Sequence, residues 1–137
     1  MILLDSFAVL AYLKGEPAAA EVRRLLISED CALLATGTAE VVDHLVRTRG
    51  AAAEHVMLDL MSIGLVEALP VDSVIGAAAG ALRAAHYHRT KCSVSLADCV
   101  AAAAAKRHQA SLATADPHLL DVCRAEGIAT VALPGSG

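Results

Sequence analysis

The sequence has no tryptophan, two tyrosines and one phenylalanine, an aromatic content of 2%. So few rings argue against a platform on which successive nucleic-acid bases stack. An excess of positive charge is missing too. Eleven Lys and Arg stand against 15 Asp and Glu, a formal net charge of −4, which argues against a broad basic face that grips nucleic acid by charge alone. The four cysteines, Cys31, Cys92, Cys99 and Cys123, lie 61, 7 and 24 residues apart. That spacing is neither a disulfide framework nor a pair of zinc knuckles, and reads as reduced thiols in a cytoplasmic protein. No hydrophobic run is long. The uncharged stretch Ser73 to Leu82 has ten residues, against the roughly 20 of a membrane-spanning helix. Ile2 to Leu13 is apolar, but Asp5 interrupts it and no basic segment precedes it, so it is not read as a signal peptide. Glycine-rich nucleotide-binding patterns and a G-x-S-x-G nucleophile elbow are absent as well.

What is present is a chain of 137 residues, 56% hydrophobic and 19% charged, long enough for one domain with a sizeable core. Mean hydropathy is +0.55, which excludes disorder. Alanine dominates, as in Ala51–Ala53, Ala77–Ala79 and Ala101–Ala105, favouring helices that pack closely. A small chain this apolar is expected to leave apolar surface for a second copy or a protein partner.

Short apolar runs alternate with helical patterns. Ile2–Leu4, Cys31–Ala35, Leu65–Leu69, Ser111–Thr114 and Ile128–Ala132 read as strands. Ser6 to Leu13, a segment with Pro17 in its first turn, Thr36 to about Gly50, Ala52 to Ile63, Asp72 to about His86, Ser95 to about His108 and Asp116 to Glu126 read as helices. Apolar strands separated by helices predict an α/β fold with a parallel sheet covered on both faces. No repeat or composition break divides the chain, so residues 1–133 read as one domain and 134–137 as a loose tail.

In such sheets function gathers at the carboxyl ends of the strands. Asp5 follows the first strand directly, and Asp116 follows the fourth by two residues. Glu40 and Asp98 fall in the first turns of two helices. Each has an ordinary explanation as a cap or first-turn acid. Ser95-x-x-Asp98 fits a capping box and Asp116-Pro117 an N-cap followed by proline. Four acids at one rim, however, would repel and raise one another's pKa values. A hard divalent cation with oxygen ligands, Mg²⁺ or Mn²⁺, removes that conflict and suits phosphodiester chemistry.

The fragments Ile2-Leu3-Leu4-Asp5-Ser6, Thr38-Ala39-Glu40-Val41, Ser95-Leu96-Ala97-Asp98 and Leu112-Ala113-Thr114-Ala115-Asp116 together resemble the PIN-domain ribonucleases, specifically VapC-type toxins. The order and length match small single-domain members over nearly the whole chain. The resemblance implies a three-layer fold with a five-stranded parallel sheet. It implies that Asp5, Glu40, Asp98 and Asp116 are the catalytic, metal-binding acids for one or two Mg²⁺ or Mn²⁺ ions. Also implied are an RNA substrate, a cognate VapB-type antitoxin and a homodimer. Ser6 and Thr114 are supporting hydroxyl residues on this reading, and Thr114 would orient Asp116 or a metal-bound water. Phe7 departs from the pattern, where the family usually has a second small hydroxyl residue.

Asp43, one helical turn past Glu40, is a candidate supporting acid or simply a solvated one. No acid lies between Asp72 and Asp98, while Arg83, His86, Tyr87, His88, Arg89 and Lys91 cluster there. Arg83, His88, Arg89 and Lys91 are therefore candidates to receive RNA phosphate, against a reading as a helix end complemented by basic residues. His86-x-His88 with Cys92 lacks a fourth zinc ligand at suitable spacing. Two other readings remain. One is a silent PIN-like scaffold that binds RNA or protein. The other is a receiver-like phospho-acceptor domain, disfavoured because Asp5 stands alone and no Lys follows Lys106.

Overall fold

Strand β1 (Ile2–Leu4) runs through the middle of a parallel sheet, between β2 (Cys31–Leu33) and β3 (Ser111–Thr114), with β4 (Thr130–Ala132) outside β3. The computed structural model describes residues 1–135; part of the expected tail, 136–137, lies outside the described residues. Seven helices join the strands: α1 (Ser6–Lys14), α2 (Ala19–Ser28), α3 (Ala35–Arg49), α4 (Ala53–Ser62), α5 (Ser73–His86), α6 (Leu96–His108) and α7 (Pro117–Glu126).

Strand alternation distributes the sheet's side chains between two cores. Leu3 and Leu112 face a core built with α5, α6 and α7, rich in Ala101–Ala105. Ile2, Leu4, Leu33 and Ala113 face the other, with Val9, Val22, Val41, Val56 and Leu60 of α1 to α4. The expected three layers, helix–sheet–helix, are therefore present.

The sheet has four strands, not the five expected. Leu65–Leu69 forms only a single parallel bridge, Leu69 with Leu34. The Leu69 N–H donates to Leu33 and the Ala35 N–H to Leu69, both at 2.9 Å. The pairing stops there for a backbone reason. Ala35 already begins α3, so beyond it no extended strand remains to pair with, and Pro70 supplies no N–H. The last strand begins at Thr130 rather than Ile128.

Helix starts follow the local signals closely. Asp5, Asp72, Ser95 and Asp116 are N-caps whose side chains accept backbone N–H bonds. Gly37 matters for a different reason: a Cβ there would meet Leu33 Cδ1 at 2.5 Å. Its bare backbone lets α3 lie close on β2, which sets the position of Glu40 one turn later. Pro17 sits in the turn before α2 rather than in its first turn.

Candidate metal and RNA site

The central strands bring two acids together. Leu4 is paired with Ala113, and the Asp5 N–H donates to the Ala113 carbonyl at 3.2 Å. Asp5 therefore stands level with Thr114, and Asp116 lies just beyond it. Thr114 is fully buried, and its Oγ1 accepts the Asp116 N–H at 3.1 Å. With its lone pair engaged, its own proton is available to the Asp5 carboxylate, whose charged form it favours.

Two adjoining hollows carry the acids. Asp5, Glu40 and Asp98 line a slot of about 20 Å³ with Ser6, Thr36 and Gly37. That is room for roughly one water-sized sphere. Asp5 and Asp98 also line a wider hollow of about 320 Å³ with Phe7 and Asp116. Asp5 and Asp98 thus belong to both, with Glu40 on one side and Asp116 on the other. The four acids of the expected rim are divided between two hollows that share Asp5 and Asp98. A wider cavity of about 530 Å³ is mostly apolar and lined by residues of α5 and α6 with Glu126 of α7, none of them these acids.

The electrostatics reflect the crowding. Burial pushes the Asp5 carboxyl up to about 6, opposed by the Thr114 hydroxyl and the Ala8 N–H; the charges of Asp98 and Glu40 push it further. Glu40 is exposed as a residue, yet its carboxyl turns into the slot. Desolvation raises its pKa, the Ser6 hydroxyl lowers it, and Asp98 raises it again.

Capping and site formation use the same groups. Asp5 Oδ1 accepts the Ala8 N–H at 2.8 Å, and Asp98 Oδ2 accepts the Ser95 N–H at 3.0 Å. Asp116 Oδ1 accepts the N–H groups of His118 and Leu119 at 2.8 and 3.4 Å. In each case one oxygen holds the cap, which fixes where the carboxylate stands. Asp5 and Asp98 flank the slot with Glu40, and Asp5, Asp98 and Asp116 flank the wider hollow, so the donor set is the all-oxygen kind that suits a hard cation. As the side chains stand, no three His, Cys, Asp or Glu among the described residues converge as a ready ligand cluster. Holding an ion between them would require side-chain rotation.

The PIN domain family model matches residues 2–125. This chain belongs to the PIN domain family. Its fold is similar to that in several solved structures. FitAcB from Neisseria gonorrhoeae is 23% identical, with a TM-score of 0.69 over 95% of this chain and 96% of that one. VapBC2 from Rickettsia felis, bound to a promoter DNA fragment, is 17% identical, with a TM-score of 0.69 over 98% and 100%. A toxin–antitoxin complex from Klebsiella pneumoniae is 18% identical, with a TM-score of 0.63 over 85% and 87%. No curated protein matches the chain.

Other candidates in this PIN domain fall into two groups. Asp43 stands apart from both hollows; its carboxylate pairs with Arg47 at 3.2 Å on the exposed face of α3. Phe7 lines the wider hollow beside Asp5 and Ser6. His86 turns away to Glu126 at 2.7 Å, while His88 Nδ1 accepts the N–H groups of Thr90 and Lys91 at 3.2 and 3.0 Å. The two histidines thus bond to different partners. The latter bonds close a hairpin in which His88 and Cys92 exchange backbone hydrogen bonds at 2.8 and 3.1 Å. His88 shapes the turn, and Arg89 and Lys91 are exposed at its tip. Arg83 stacks on Tyr87, 4.2 Å from the ring centroid, and donates to the Val94 carbonyl at 3.0 Å.

One residue escaped sequence reasoning. His118 Nδ1 receives the Ser93 N–H at 3.0 Å, 25 positions away. No local pattern signals a contact at that distance along the chain.

Proposed function

We propose that this PIN domain is a metal-dependent endoribonuclease acting as a VapC-type toxin. The observation that carries the reading is the placement of Asp5, Glu40, Asp98 and Asp116 around two adjoining hollows at the carboxyl end of the sheet. Their oxygens would hold one or two Mg²⁺ or Mn²⁺ ions. Bound there, such ions supply Lewis acidity for in-line attack of water on phosphorus, with no covalent intermediate.

The chain's own groups do the rest. Capping bonds hold Asp5, Asp98 and Asp116 in position through one oxygen each and leave the other to turn to the ligand. Thr114 joins Asp116 to Asp5, and the Ser6 hydroxyl steadies Glu40. Arg83, Arg89 and Lys91 would receive RNA phosphates beside the rim, with His88 holding the turn that presents them. The net charge of −4 fits this arrangement, since the four acids hold the cations that engage the substrate.

Two partners belong to the proposal. A VapB-type antitoxin is the expected protein partner, since a toxin–antitoxin complex is among the solved structures that share this fold. A second copy would cover part of the exposed apolar surface, which includes Ile27, Leu58 and Met61. No helix among the described residues is long and apolar enough to cross a membrane, which accords with a cytoplasmic toxin. The test is expression with and without the neighbouring open reading frame. Growth arrest that the neighbour relieves, and that Asp5→Asn abolishes, is the expected result. Retained RNA binding with no metal-dependent cleavage would mark a silent scaffold instead.

A further inference from the structure

The basic hairpin is rigid within itself but sparsely attached. Its strands are closed by the two His88–Cys92 backbone bonds, and its tip by the His88 ring. Tyr87 to Lys91 and Ser93 are exposed and only the half-buried Cys92 packs against the core, so little burial holds the unit down. Two polar attachments do. Arg83 Nε donates to the Val94 carbonyl at 3.0 Å at its far end. The other is His118. Its Nδ1 receives both the Ser93 N–H and the Ser93 hydroxyl at 3.0 Å, while its own backbone N–H donates to Asp116 Oδ1 at 2.8 Å.

An amide N–H only donates, so Nδ1 must be the acceptor, and the ring of neutral His118 carries its proton on Nε2. A continuous chain of hydrogen bonds therefore runs from Asp116 through His118 to Ser93 and the hairpin. The bond spans 25 positions and ties the turn bearing Arg89 and Lys91 to the turn bearing a rim carboxylate.

We propose that His118 is a positioning residue that latches the basic hairpin, Tyr87 to Ser93, onto the start of α7 and so fixes Arg89 and Lys91 relative to Asp116. The consequence for RNA rests on the nuclease reading; the latch itself does not. With the latch made, the two cations meet RNA phosphates preorganised. Without it, ordering the hairpin opposes each binding event.

The test uses His118→Ala and His118→Asn in the full chain, with amide hydrogen exchange and cleavage of a single-stranded RNA oligonucleotide in Mg²⁺. The asparagine side-chain oxygen takes the place of Nδ1 as acceptor. Exchange at the Ser93 N–H is expected to quicken at least about tenfold in His118→Ala and to stay within about twofold of wild type in His118→Asn. His118→Ala should raise KM about fivefold with kcat little changed. Its effect should vanish in an Arg89→Ala/Lys91→Ala background, because it acts through those residues. Unaltered Ser93 exchange in His118→Ala, or failure of asparagine to restore it, overturns the latch. KM effects that simply add overturn its action through the hairpin. If the wild-type protein cleaves no RNA, the nuclease reading falls, and Ser93 exchange still decides the latch.

Discussion

Thr114 Oγ1 accepts the backbone N–H of Asp116 at 3.1 Å, and Thr114 is the one fully buried polar residue among the described residues. The hydroxyl also favours the charged form of Asp5. One small group thus ties the acids that follow the two central strands. A methyl in its place would strand the Asp116 N–H and remove the donor beside Asp5. Thr114→Val should therefore destabilise the protein by about 1–3 kcal/mol. Thr114→Ser keeps the hydroxyl and should cost less, about 1 kcal/mol for the lost methyl. Denaturant unfolding of the two variants checks the order.

Asp5 combines burial with like charges nearby, so its ionised form is disfavoured in the folded state. Its pKa rises from 3.8 to about 6. As pH increases through this window the unfolded chain loses its proton first, and the folded state loses stability relative to it. The interval corresponds to at most about 3 kcal/mol, and partial contact with water reduces this to about 1–2 kcal/mol. Asparagine carries no charge and still caps a helix. Asp5→Asn should therefore be more stable than wild type at pH 7 without metal, the gap closing as pH falls from about 6 to 4. Thermal unfolding between pH 4 and 8 measures it. Added Mg²⁺ should raise the wild-type Tm and leave that of Asp5→Asn unmoved.

Asp98 closes a capping box with Ser95 and lines both hollows. The two roles separate by substitution. Asp98→Ala should lose about 0.5–1 kcal/mol with the cap, together with cleavage. Asp98→Asn keeps an oxygen for the Ser95 N–H and should lose cleavage with little change in stability. Paired measurements of Tm and cleavage rate check this.

Much of this was legible because four of the seven helix starts carry their own signal. Asp5, Asp72, Ser95 with Asp98, and Asp116-Pro117 all act within a few residues of themselves, and the structure places them where their local chemistry predicts. Asp5, Asp98 and Asp116, with Glu40, were also readable as a rim because strands place their followers at one end of the sheet. The fifth strand was not legible in this way. Whether Leu65–Leu69 extends a ladder depends on where β2 turns into α3, a property of the neighbour rather than of the segment. Asp43 shares a helix and spacing with Glu40, yet Arg47 one turn on captures it. The His118–Ser93 bond leaves no mark in either local sequence.

Arg89 and Lys91 stand exposed at the hairpin tip. If they receive phosphates, Arg89→Ala/Lys91→Ala should raise KM for RNA and flatten its dependence on salt. The slope of log affinity against log salt should change by about 0.7 for each phosphate of a single strand that is no longer neutralised. Cleavage assayed across a salt series gives that slope.

The central claim is that the four acids form a metal site that cuts RNA. The most direct measurement is cleavage of RNA by the purified, antitoxin-free protein in EDTA, after restoration of Mg²⁺ or Mn²⁺, and in Asp98→Asn. The account predicts no cleavage in EDTA, recovery on adding either ion, and loss of at least about a hundredfold in Asp98→Asn. Cleavage that persists in EDTA, or that proceeds at the wild-type rate in a folded Asp98→Asn protein, would contradict it.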